Sequence, residues 1–171
     1  MIDNLNDYRL GESGAEITVA TSEECRELAL ALARQARRSL HIIGQALDPA
    51  LYDSTEFSQA VRDVVIAHPN NAVKVLVHDA DTLVKHGHRL IELSRRLTSQ
   101  FEIRKLTEDY GDFNEAYLIA DQRGVLYRKQ ARRYDGIASF NDPTRARELL
   151  RFFNEAWQRS QQFREFRRLQ V

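Results

Sequence analysis

The stretch Asn114-Glu115-Ala116-Tyr117-Leu118-Ile119-Ala120-Asp121 decides how this chain is read. Its middle, Ala116–Ala120, is an unbroken apolar run of strand length, as expected of a strand covered on both faces. Asp121-Gln122-Arg123-Gly124 follows as a hairpin turn, with glycine expected where a positive φ is required. Val125–Lys129 is the return strand. A loop then leads to a further strand, Gly136–Phe140. Asp142-Pro143 opens a last helix, Asp as N-cap and Pro at its first position, with Ala146, Leu149, Leu150, Phe153 and Trp157 as its apolar stripe.

Working backwards from Asn114, helices and strands alternate. Phe101–Leu106 alternates as a strand does. A helix before it runs from the acidic loop His78-Asp79-Ala80-Asp81 to about Ser99, with Leu83, Leu90, Leu93 and Leu97 apolar. Val73–Val77 is a strand. Ser54 or Thr55 caps a helix to about His68, with Phe57, Val61, Val64 and Val65 on one side. Leu40–Ile43 is a strand ended by Gly44. Thr21 or Ser22 caps a helix to about Arg38, and Glu16–Ala20 is a short first strand. Three strand–helix–strand crossovers followed by a hairpin predict an α/β fold with a mixed, mainly parallel sheet and helices on both faces.

The 171 residues suffice for one domain with a substantial core. The expected organisation is a flexible acidic N-terminus over 1–15, a domain over 16–158 and a basic amphipathic tail over 159–171. Basic and acidic side chains balance at 25 each, so no global field draws the chain to nucleic acid or membrane. The distribution is uneven: residues 1–25 carry six acids against Arg9, and residues 123–133 carry five bases and no acid. The lone Cys25 excludes an internal disulfide and a multi-cysteine metal site, and suits a buried helix face. The N-terminus lacks the pattern of a signal peptide, and no apolar run approaches transmembrane length. These features set the expectation of a cytoplasmic protein with no cofactor and no metal.

The order of elements resembles one half of the phospholipase D superfamily, over roughly residues 16–158. The acidic loop after the third strand, Phe101-Glu102-Ile103-Arg104, the quoted stretch with Val125-Leu126-Tyr127, and Phe140-Asn141-Asp142-Pro143 with Phe153 and Trp157 carry the likeness. The family's motif is His-x-Lys-x4-Asp. Its His attacks phosphorus, its Lys binds the phosphate, and its Asp orients a catalytic His. The resemblance places Asn114 at the His, Ala116 at the Lys and Asp121 at the Asp. Asn is no useful nucleophile and Ala cannot bind phosphate, so a vestigial motif and no catalytic residue are expected. Active members combine two motifs, so a one-half chain implies a homodimer or a partner domain, with the tail aromatics as candidate contacts. The resulting expectation is a non-catalytic binding or interaction module.

Two further readings come from the residues themselves. Arg128, Lys129, Arg132 and Arg133, with Tyr127 and Tyr134 as stacking surfaces, are candidates for holding nucleic acid or a phosphate ligand. The alternative is a solvated hairpin with ion pairs to the acidic N-terminal segment or to a partner chain. A residual phosphodiesterase with relocated chemistry would use His86 or His88, although i and i+2 diverge on a helix. Asp79 and Asp81 sit where open α/β sheets hold ligands, and they equally suit helix capping, as does the turn residue Asp48. The tail interleaves Phe163, Phe166 and Leu169 with Arg164, Arg167 and Arg168. That pattern suits a helix end docking on its own domain, another subunit or a membrane surface.

Overall fold

The structure is a computed structural model and describes residues 2–167. In chain order the elements are β1 (Ile17–Val19), α1 (Ser22–Gln35), β2 (Ser39–Gly44), α2 (Pro49–Tyr52), α3 (Thr55–Ala67), β3 (Ala72–Val77), α4 (Ala80–His86), α5 (Arg89–Arg96), β4 (Phe101–Lys105), β5 (Ala116–Ala120), β6 (Gly124–Arg128), β7 (Gly136–Ser139), α6 (Pro143–Arg159), β8 (Gln161–Gln162) and α7 (Arg164–Arg167). The strands form one mixed sheet in the order β1-β7-β6-β5-β2-β3-β4-β8.

The α/β class and the mixed sheet are as the sequence predicts, but the sheet is mainly antiparallel. Only β2–β3 and β3–β4 run parallel. The other pairings, β1–β7, β7–β6, β6–β5, β5–β2 and β4–β8, are antiparallel. Counting crossovers fails because β1 and β2 are not neighbours: β1 lies at the sheet edge beside β7. After β4 the chain returns to the far side of β2, where β5 lies antiparallel, with Leu40 opposite Ala120 and Ile43 opposite Tyr117.

Alternation along the strands feeds two cores. Leu40, Ile42, Val73, Val75, Ile103, Leu118 and Leu126 face α1, α3 and α5. Ile43, Leu76 and Tyr117 face α6, where Phe153, Ala156 and Trp157 meet them. Ile119 and Val125 meet Ala146 and Leu150 further along the same helix. Local chemistry sets the helix starts. Thr21 and Glu24 form a reciprocal capping box on α1. Asp142 accepts from the Arg145 N–H, with Pro143 at the first helical position of α6.

Three local expectations change. The helix expected from Asp81 to Ser99 is two helices, because Gly87 adopts φ 75° and His88 becomes the N-cap of the second, accepting from the Leu90 N–H. In the hairpin turn the positive φ values fall on Asp121 (54°) and Gln122 (61°), not on Gly124. At 124 glycine leaves room for neighbours: a Cβ there would stand 2.5 Å from Leu10 Cδ1 and 2.8 Å from Leu32 Cδ2, so both leucine side chains would have to shift. Asp48, expected as a turn residue, caps the short helix α2.

The N-terminal segment makes specific contacts. Tyr8 stacks on Phe140 with ring centroids 5.4 Å apart, and the Gly11 N–H donates to the Phe140 carbonyl at 2.7 Å. At the other end β8 extends the sheet beside β4, and Phe166 is buried in the chain's own core against α5. Phe166 is therefore spent within the chain rather than on a second subunit. Arg168 and Leu169 of the same pattern lie outside the described residues.

Gly136 marks the tightest approach in the sheet. A Cβ there would lie 2.3 Å from the Tyr127 carbonyl oxygen, which is backbone of the neighbouring strand and cannot swing away. Gly136→Ala is expected to cost about 2 kcal/mol, the usual scale of forced overpacking. Urea denaturation checks this; an unchanged midpoint would show that the β6–β7 edge yields freely.

Candidate functional site

The carboxyl ends of β2 and β3 and the head of β5 meet at one end of the sheet, because β5 runs antiparallel to β2. There Gly44, Leu47, Asp48, Tyr52, Ala116 and Arg128 help to line a cleft of about 200 Å³. Ala116 is 3% exposed and pairs directly across the ladder with Arg128. Asn114 is exposed just outside, and its carbonyl accepts from the Ala131 N–H at 2.6 Å. It shares an adjoining recess with Gln45, Gln130 and Arg132. Asn114 and Ala116 thus stand at one site, mouth and wall.

Asp121 is not part of it. It lies at the other end of β5, roughly 17 Å away at the usual rise of about 3.4 Å per residue. Its carboxylate accepts from the backbone N–H groups of Arg37 (2.9 Å), Arg38 (2.8 Å) and Ser39 (3.1 Å). The group fastens the entry to β2 onto the hairpin turn. A carboxylate suits this structural role, since charge-assisted bonds from several backbone N–H groups are strong.

The four expected anion-binding cations stand in different surroundings. Arg128 is only 4% exposed, and one of its terminal nitrogens donates to the carbonyls of Ala131 and Arg133, both at 3.0 Å. Its guanidinium also lies 5.6 Å from the Tyr134 ring centre. It staples the 129–135 loop to the cleft wall. Arg133 pairs with Asp135 at 2.8 Å. Lys129 and Arg132 remain exposed, and among the described residues neither pairs with a carboxylate. Of the two tyrosines, Tyr127 donates to Glu115 and Tyr134 to Asp48 at 2.8 Å. Burial and the Glu115 carboxylate push the Tyr127 phenol up to about 12.

The histidines also separate. His86 is exposed at the end of α4, whereas His88 is buried, and its Nδ1 is occupied by the Leu90 N–H. Burial pulls the His88 pKa below its ordinary value, against the opposing pull of Asp53. The two rings form no joint site. Asp79 caps α4, accepting from the Thr82 N–H and hydroxyl. Among the described residues no group of three His, Cys, Asp or Glu is placed to hold a metal ion. Burial pushes the Cys25 thiol up to about 11, and its Sγ donates to the Tyr134 carbonyl.

Sequence reasoning passed over His78. It follows β3, its N–H donates to the Gly44 carbonyl, and its ring faces Phe113, the neighbour of Asn114. Phe113 in turn stacks on Phe152 at 4.5 Å, and Tyr110 meets the edge of Phe152. The available signal was position: His78 is the first residue past the carboxyl end of a parallel strand.

This mixed sheet, helices on both faces and a cleft at the head of β5, has the phospholipase D-like fold. Within it the chain belongs to the family described as a domain of unknown function (DUF7931), which matches residues 21–169. The structure resembles Nuc, a phospholipase D family member from Salmonella typhimurium, with a TM-score of 0.61 at 13% identity, over 88% of this chain and 98% of that one. NucT from Helicobacter pylori gives 0.60 at 11% identity, again over 88% and 98%. TrmBL2, an archaeal chromatin protein that binds DNA, gives 0.64 at 15% identity, over 86% of this chain and 53% of that one. At such identities the likeness is one of fold. No curated protein matches the sequence. Among the described residues no helix is long and apolar enough to cross a membrane.

Proposed function

We propose that this chain is a non-catalytic phospholipase D-like domain that works as an interaction module and pairs with a second copy of itself across the mouth of the cleft. The observation that carries this reading is the pair Asn114 and Ala116. The family's chemistry needs an imidazole nucleophile and a phosphate-binding cation where this chain has an amide and a methyl group. Loss of groups that act as a unit removes most of the rate at once. The half-buried aromatics Tyr110, Phe113 and Phe152, beside Asn114 and Gln45, suit the centre of a contact between copies. A single chain weighs 19.8 kDa. Light scattering after size exclusion is expected to return about twice that mass, and Phe113→Glu with Phe152→Glu about the monomer mass. Hydrolysis of bis(p-nitrophenyl) phosphate above background, with or without divalent metal, would overturn the non-catalytic reading. A monomeric parent protein would overturn the pairing.

A second reading is favoured by the recess beside Asn114, which the exposed Arg132 lines together with Gln45 and Gln130. It would hold a phosphate-bearing ligand, with Lys129 alongside. The DNA-binding chromatin protein of the same fold makes a nucleic acid compatible with this architecture.

A further inference from the structure

The end of the sheet opposite the cleft carries an arginine-lined groove that no part of the motif explains. Arg38 at the entry to β2, Arg123 in the β5–β6 turn, and Arg147 and Arg151 on α6 border an open groove of about 610 Å³. All four are exposed. Among the described residues none has a carboxylate within 4.0 Å of its guanidinium. The one carboxylate lining the groove is Asp121, already engaged by three backbone N–H groups. Nearby, Asp142 faces Arg145 at 3.6 Å rather than the groove cations. Four cations are thus held close together in a chain of zero net charge, where self-repulsion is unfavourable without a bound anion.

We propose that this groove binds the phosphate backbone of double-stranded nucleic acid, independently of sequence. Guanidinium groups present planar forks that match phosphate oxygens, better than ammonium groups do. Arg147 and Arg151 lie one turn apart, about 6 Å along the helix axis, on one wall. Arg38 and Arg123 form the other wall at the end of the sheet. Two charged walls suit an extended polyanion lying between them. No aromatic side chain lines the groove, so it offers no platform for stacked single-strand bases. Its one large apolar residue, Leu150, is buried, so nothing there inserts into a bilayer. The large exposed apolar residue among those described, Ile66, is on α3 across the sheet.

The test is fluorescence anisotropy with a labelled 30-base-pair duplex of mixed sequence, titrated with the full chain across a salt series. The expected result is binding at low salt that weakens steeply as salt rises. Arg147→Glu with Arg151→Glu is expected to weaken it at least about tenfold and to flatten the log–log salt slope by about 2. Arg38→Ala with Arg123→Ala tests the other wall without touching α6, and the same weakening is expected. Arg62→Glu, exposed on α3 across the sheet from α6, is expected to leave binding unchanged, and binding lost in Lys129→Glu with Arg132→Glu but kept in the groove variants would move it to the recess by Asn114 and overturn the proposal. An unchanged thermal midpoint confirms that the variants fold. The proposal is overturned by no binding at low salt, by groove variants that bind as the parent does, by a single strand held as tightly as the duplex, or by preference for phosphatidylserine vesicles.

Discussion

Phe153→Ala is expected to destabilise the protein by about 4 kcal/mol, within the usual range for truncating a fully buried phenylalanine. Phe153 has no exposed surface. Its ring stacks on Trp157 at 5.9 Å and meets the His41 ring edge-on at 4.9 Å. Trp157 is further held under the Arg104 guanidinium, 4.3 Å from the ring centre. The face opposite α1 and α3 has α6 as its covering helix, and Phe153 sits in the middle of that contact. Its neighbours Ile43, Leu76 and Tyr117 are fixed by the strand ladder, so the cavity term should be near its full size. Urea unfolding of the parent and variant measures the difference. A loss below about 1 kcal/mol would mean that α6 is held chiefly elsewhere. The same helix carries Arg147 and Arg151, so a loosened α6 should also weaken duplex binding.

The second large effect is a loss of stability in mild acid. His41, on β2 beneath Phe153, is pulled down to about 4, first by burial and then by Lys74 on the neighbouring strand. An unfolded histidine titrates near 6.5. Above that value both states hold the ring neutral, and the stabilisation is fully present. As pH falls from 6.5 towards 4 the unfolded chain takes up a proton that the folded chain refuses. The cost accumulates to roughly 3 kcal/mol. His78 and His88, both lowered by burial, act in the same direction. Denaturation midpoints at several pH values between 7.5 and 4 should fall steadily, and His41→Leu should flatten the curve. If parent and variant lose stability in parallel, His41 is not the cause.

Much of the fold was legible because its signals are local. The five residues Ala116–Ala120 are all buried, as an unbroken apolar run implies. Thr21, Ser54 and Asp142 cap the helices they precede. Strand order was not legible, since β1–β7 and β5–β2 are long-range pairings that no local pattern encodes. At the site, the burial of Arg128 has a readable reason. Leu126 and Arg128 are two apart on β6, and period-two alternation puts both on the face turned towards α1. A cluster counted along the sequence ignored that alternation. The groove arginines show the reverse case: Arg38, Arg123, Arg147 and Arg151 come from three separated segments, and only tertiary structure assembles them.

Arg128 also bears on what a substitution at the cleft wall can do. It stands directly opposite Ala116 on the ladder and ties down the 129–135 loop through two carbonyls. A lysine placed at 116 would meet a guanidinium already built into the wall of the same cleft. Removing Arg128 would free the loop that it ties down. The two positions are therefore coupled: the charge of this wall changes by paired replacements at 116 and 128, not by one residue at a time.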